Sequence, residues 1–121
     1  RLPVAGRTRA DSPPYTTPDG STSRGLIDPE AGGARNQSLA EATLAPGQAT
    51  ERHYHAETEE LYVVLAGSGE MEVDGERREV GPGDAVLLPP GAWHQIRAGD
   101  DELRFLCCCA PPYRHEDTFF A

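Results

Sequence analysis

The sequence predicts an all-β protein, a sandwich or a barrel. Three observations carry that prediction. Short runs of β-forming residues follow one another from Ser38 onward. Turn residues separate them about every 8–12 positions. No helix-period pattern of useful length occurs anywhere in the 121 residues, and the 13 Gly and 11 Pro favour many turns over long helices.

The strands are expected in order. Ser38–Leu44 ends at the turn Ala45-Pro46-Gly47, and Glu51–His55 follows. Glu60–Ala66 alternates Glu60, Tyr62 and Val64 on one face with Leu61, Val63 and Leu65 on the other, so both faces should be covered. This is the reason to expect a homodimer. After Gly67-Ser68-Gly69 come Glu70–Val73 and Arg77–Val80, joined by Asp74-Gly75, a strong hairpin signal. Gly81-Pro82-Gly83 leads into Ala85–Leu88, and Pro89-Pro90-Gly91 leads into His94–Ala98. Leu103–Ala110 closes the series. Residues 1–36, rich in Pro, Gly, Ser, Thr and Arg, read as an N-terminal arm lying on the barrel or on a partner, with Thr22–Ile27 as an edge strand and residues 1–14 equally readable as a frayed tail. Residues 37–110 form the barrel and 111–121 a C-terminal tail.

Composition removes several functions. The net charge is −9 and every one of the 11 basic residues is Arg. That balance argues against nucleic acid and acidic membrane surfaces as partners. No apolar run reaches the roughly 20 residues of a membrane-spanning helix. Cys107, Cys108 and Cys109 are consecutive, a poor disulfide framework, so reduced thiols and a cytoplasmic location are expected. No secretory signal pattern is visible at the start.

Of only four histidines, three fall in a pattern. His53 and His55 are two apart on an expected strand, so both rings leave one face. Glu60 opens the next strand, and His94 begins a later one. Three neutral imidazoles and one carboxylate meeting at a point suit a divalent transition ion: Fe, Mn, Ni, Cu or Zn. Four protein ligands on a six-coordinate ion leave two neighbouring positions for substrate or O2.

These residues resemble the cupin family. The first motif runs from Gly47 through His53-Tyr54-His55 and Glu60 to Gly67, and the second from Gly83 through Pro89-Pro90-Gly91 to His94. Ala98 stands where the family often carries Asn. The resemblance covers roughly residues 38–110. It implies a double-stranded β-helix, or jelly-roll barrel, with His53, His55, Glu60 and His94 as metal ligands. Glu60 is preferred over Glu59 because six residues separate it from Gly67 and because alternation turns Glu59 to the other face.

Alternation adds Val64, Met71, Val73 and Ile96 as pocket residues, with Tyr62 as the candidate catalytic hydroxyl or an aromatic core residue. Trp93, opposite His94, is expected to pack against the arm or a partner. Cys107 and Cys109 share a face, as small apolar core residues or as thiols near the metal. His115, Glu116 and Asp117 read as a solvated acidic tail, with a lid or a group buttressing the metal ligands as the alternative. The expected function is a metal-dependent enzyme acting on a small polar or anionic organic molecule. Oxygenase chemistry ranks slightly ahead of isomerase, lyase or decarboxylase chemistry, and a non-catalytic metabolite-binding or sensor protein is the third reading.

Overall fold

The computed structural model describes residues 4–121; the first three residues of the expected arm lie outside it. Two antiparallel sheets face each other. Strands β1 (Tyr15–Thr16), β2 (Thr22–Ile27), β3 (Ser38–Leu44), β10 (Leu103–Ala110), β5 (Glu59–Ala66) and β8 (Ala85–Leu88) form one sheet, in that spatial order. Strands β11 (Thr118–Phe120), β4 (His53–His55), β9 (His94–Ala98), β6 (Gly69–Val73) and β7 (Glu76–Val80) form the other. Two single-turn 3-10 segments, Arg9–Asp11 and His115–Asp117, complete the described elements. None of these is a helix long and apolar enough to cross a membrane.

The period of two that predicted the strands also builds the core. Ala42 and Leu44 of β3, Val64 of β5, Met71 of β6, Leu88 of β8, Ile96 of β9, and Leu103 and Phe105 of β10 meet between the sheets. Register fixes which inward residues are neighbours. Phe105, Cys107 and Cys109 pair with Val64, Tyr62 and Glu60 across β10 and β5, so these six form two adjoining inward rows.

The turns follow local chemistry. Asp74 (φ 48°) and Gly75 (φ 88°) give the consecutive left-handed conformations of a tight hairpin between β6 and β7. The Asp74 carboxylate also accepts a bond from the Trp93 amide at 2.9 Å. Gly67 combines φ 78° with a close backbone approach: a Cβ there would lie 2.2 Å from the Glu102 carbonyl oxygen. Only glycine fits that position.

The arm adds strands to the first sheet, with β2 pairing β3 along its length. Before β1 it crosses the outer side of that sheet, where Arg9 donates to both oxygens of buried Glu41 at 2.9 Å. Ser12 is fully buried, and its hydroxyl donates to the Thr8 carbonyl at 3.1 Å. The outer face of β5 is not covered by the arm. Leu61 (43% exposed), Leu65 (39%) and neighbouring Leu87 of β8 (52%) stay open to solvent, so the sequence expectation of two covered faces is met on the inner face only within this chain.

The tail departs from expectation. His115 and Glu116 are exposed as a solvated tail requires, but Asp117 is buried and Thr118–Phe120 pair with β4 as strand β11.

Candidate metal site and cavity

The two sheets deliver their polar side chains to one point. β4 and β9 are hydrogen-bonded neighbours with His53 directly opposite His94. His55 leaves the same face of β4 as His53. All three rings are buried, and one nitrogen from each lies within 4.8 Å of the others. From the opposite sheet, Glu60 brings Oε1 to 3.2 Å from His55 Nε2 and 3.7 Å from His94 Nε2. Glu59 points outward and is exposed.

The other side of each ring is tied down. His53 Nδ1 donates to the Glu51 carbonyl at 2.7 Å, and His94 Nδ1 to the Ala92 carbonyl at 3.1 Å. His55 Nδ1 lies 3.2 Å from Thr118 Oγ1, which gives its own proton to the Arg114 carbonyl and so accepts from the ring. In its neutral form each histidine therefore carries its hydrogen on Nδ1 and turns a bare Nε2 to the centre. Asp117 shapes the approach from β4 to β5, accepting the Glu57 and Thr58 amides at 3.0–3.1 Å.

This arrangement fits a cation. Glu60 Oε1 and His94 Nε2 are buried and take no hydrogen bond among the described residues. Such groups are costly to leave unpaired unless an ion or a proton satisfies them. Burial, reinforced by the neighbouring His53, pushes the His94 pKa down to about 4, so this ring offers a lone pair at neutral pH. Burial also opposes a charged His55, but the Glu60 carboxylate 3.2 Å away, with Asp117 behind it, outweighs this and raises the pKa. A proton on His55 and a metal ion at the centre thus compete for the same carboxylate.

A cavity of about 510 Å³ opens above this cluster. Its lining includes His53, His55, Glu60, Tyr62, Phe105, Cys107 and Cys109, and the arm supplies Tyr15, Thr17, Asp19, Ser21 and Ser23. Tyr62 is buried, its ring 6.0 Å from that of His94. Burial and the charge of Glu60 hold its phenol well above the usual range, so it is a neutral O–H donor. Val64, Met71, Val73 and Ile96 point inward, but they pack in or against the hydrophobic core and do not line this cavity. The Trp93 ring meets Tyr54 edge-on at 4.7 Å, with the Arg52 guanidinium 5.2 Å from its centre. All three cysteines are free. Cys109 is the thiol nearest the cluster, donating to Glu60 Oε2 at 3.2 Å. His115 is exposed and lies outside the cavity lining.

The sequence reading missed Thr118 and the arm's polar residues, and for Asp117 it preferred a solvated tail to a group supporting the site. Thr118-Phe119-Phe120 carried a signal, since β-branched and aromatic residues together favour a strand.

Comparison with known proteins agrees with the geometry. A family model described as "Cupin domain" matches residues 40–109. The chain belongs to the cupin family. Among its cupin relatives, an uncharacterized protein of Methanocaldococcus jannaschii is 45% identical over 106 residues, which are 87% of this chain and 85% of that protein. L-ectoine synthase of Bordetella avium is 34% identical over 82 residues, 67% of this chain and 62% of that enzyme. Among solved structures, the polyketide cyclase RemF of Streptomyces resistomycificus superposes with a TM-score of 0.76 at 30% identity, covering 92% of this chain and 87% of RemF. Relatives of this cupin thus include enzymes.

Proposed function

We propose that this cupin is a metal-dependent enzyme that acts on a small oxygen-bearing organic molecule by acid–base chemistry without net oxidation. The observation that carries the reading is the cluster itself: three bare imidazole nitrogens and a carboxylate oxygen, two of the four atoms without a hydrogen-bond partner, at the base of an open cavity. His53, His55, Glu60 and His94 would hold a divalent transition ion. When bound, such an ion would polarise a substrate carbonyl or hydroxyl oxygen and acidify the bond beside it. The chain's own groups do the rest. The Nδ1 bonds of the three histidines fix their rings before any ligand arrives. Tyr62 donates its proton toward negative charge developing on a substrate oxygen. Phe105 and the aromatic ring of Tyr62 give the cavity wall an apolar stretch that limits water.

Of the similar enzymes, RemF and L-ectoine synthase, each matched over two thirds or more of this chain, are not named for an oxidation, whereas a gentisate 1,2-dioxygenase is matched over 42% of it. That moves the weight from oxygenase chemistry, ranked first on sequence alone, toward cyclisation, isomerisation or elimination. The test is metal analysis of protein purified without added metal, then reconstitution with Fe(II), Mn(II) or Zn(II) and turnover of a panel of small carboxylates, diketones and hydroxy acids in an oxygen electrode. Turnover with Zn(II) or Mn(II) and no oxygen uptake is expected. Oxygen uptake stoichiometric with product restores the oxygenase reading. Full metal occupancy in His94→Ala refutes the ligand assignment.

A further inference from the structure

The outer face of the six-stranded sheet carries an apolar patch, and register lays it out in two rows. In the first, Leu87 of β8 pairs with Leu61 of β5, Leu61 with Cys108 of β10, and Cys108 with Leu39 of β3. In the second, Ala85 pairs with Val63, Val63 with Leu106, and Leu106 with Glu41. Alternation turns these side chains away from inward Glu60, Tyr62 and Phe105, to the outside. Leu65 extends the patch along β5. Each of these apolar residues is exposed or half-buried.

The charges of this face lie at its borders. The chain has 20 acidic residues, yet the one carboxylate in the two rows is that of Glu41. It is buried, and Arg9 of the arm donates to both its oxygens at 2.9 Å. Arg104 is left without a full partner. Its Nε lies 3.8 Å from Glu41 and is buried with no hydrogen bond among the described residues. Register sets Arg104 beside Ala66 at one end of the β5 and β10 pair, and exposed Glu59 beside Ala110 at the other. The two ends of the face therefore carry opposite charge.

Size and charge together indicate what covers it. With about 4.8 Å between strands and about 6.7 Å between residues on one face, the apolar positions project over about 250 Å². That is about a third of the roughly 800 Å² that each partner gives to a standard interface, a fitting share for an apolar core inside a polar rim. A flat apolar patch is its own complement, as a two-fold interface requires. A two-fold axis that reverses the strand direction also lays the Glu59 end of one copy over the Arg104 end of the other.

We propose that the outer face of this sheet binds a second copy of the chain, sheet against sheet with strands antiparallel, Leu61 and Leu87 in the buried centre and Arg104 facing Glu59 of the partner subunit. The proposal is independent of the metal reading, because Leu61, Leu87, Glu59 and Arg104 lie outside the cavity lining.

Sedimentation equilibrium of the protein as purified, from micromolar to submillimolar concentration, tests it. Wild type is compared with Leu61→Glu, Glu59→Arg, the double variant Glu59→Arg with Arg104→Glu, and Phe119→Ser on the outer side of the other sheet. Circular dichroism checks that each keeps its strands. Wild type should form a dimer. Leu61→Glu places a charge in the apolar centre and should weaken it by about a hundredfold or more. Glu59→Arg sets like charges together and should weaken it by about tenfold, and the double variant should recover most of that loss. Phe119→Ser should leave it unchanged. Wild type that stays monomeric, or that assembles beyond a dimer, overturns the proposal. So does an unchanged dissociation constant in Leu61→Glu or in Glu59→Arg, a double variant no better than Glu59→Arg, or a dimer lost in Phe119→Ser. If the double variant fails to fold, Leu61→Glu and Glu59→Arg, both at exposed positions, decide.

Discussion

Replacing Cys109 by Ala isolates the support beneath Glu60. The thiol lies 3.2 Å from Oε2 of a carboxylate that is 4% exposed and whose other oxygen already lacks a partner. In metal-free protein Cys109→Ala would remove the hydrogen bond that Oε2 accepts. An unpaired buried group costs about 1–3 kcal/mol, and a thiol is a weak donor, which puts the hydrogen-bond loss near the lower end. Loss of the sulfur's packing raises the expected total to about 2 kcal/mol. Urea unfolding of the metal-free protein measures it. The same substitution frees Glu60 to rotate, and removing a support behind a metal ligand weakens metal binding by about 10–100-fold. Competition with a chelator for Zn(II) reads that separately. Cys109→Ser keeps a donor of smaller size and should recover most of the affinity. Wild-type stability and wild-type Zn(II) affinity in Cys109→Ala would refute the reasoning, as would a serine variant no better than alanine.

Two further outcomes follow from the same region. Asp117→Ala removes the acceptor of the Glu57 and Thr58 amides, so the turn between His55 and Glu60 loses its anchor. Denaturant unfolding should show a loss of about 2–3 kcal/mol. The third prediction concerns acid. The folded His94 has its pKa lowered to about 4, while an unfolded histidine titrates near 6.5. The unfolded chain binds this proton more readily, so His94 contributes full stability above pH 6.5 and loses it as pH falls toward 4, on the order of 3 kcal/mol in metal-free protein. His55, with its pKa raised, works in the opposite sense: its contribution is present below about 6.5 and fades as pH climbs through the raised value. Unfolding of His94→Gln between pH 7 and 4.5 should therefore show a shallower acid loss than wild type; parallel profiles would contradict the assignment.

The strands and the cluster were legible because both depend on short-range pattern. Ser38–Leu44, Ala85–Leu88, His94–Ala98 and Leu103–Ala110 begin and end where alternation and turn residues place them. His53 and His55 share a face by the same rule, and Glu60 is inward while Glu59 is not. Alternation says which side a residue faces, not how deep along the barrel it sits. Val64, Met71 and Ile96 are inward for that reason, yet they join the packed interior, while Cys107 and Cys109 line the cavity. The two-residue strand Tyr15–Thr16 has no period to detect. Asp117 acts on amides 59 and 60 residues away, a relation that exists only once β11 has paired with β4.

The cluster and the arm's side of the cavity come from different stretches of chain. His53, His55, Glu60 and His94 fall inside the span that matches the family model, whereas the wall residues from Tyr15 to Glu30 precede it. The first thirty residues can therefore change, and with them one side of the cavity, while the histidine cluster passes unaltered from one descendant to the next. Two members alike from residue 40 onward need not share the same cavity lining.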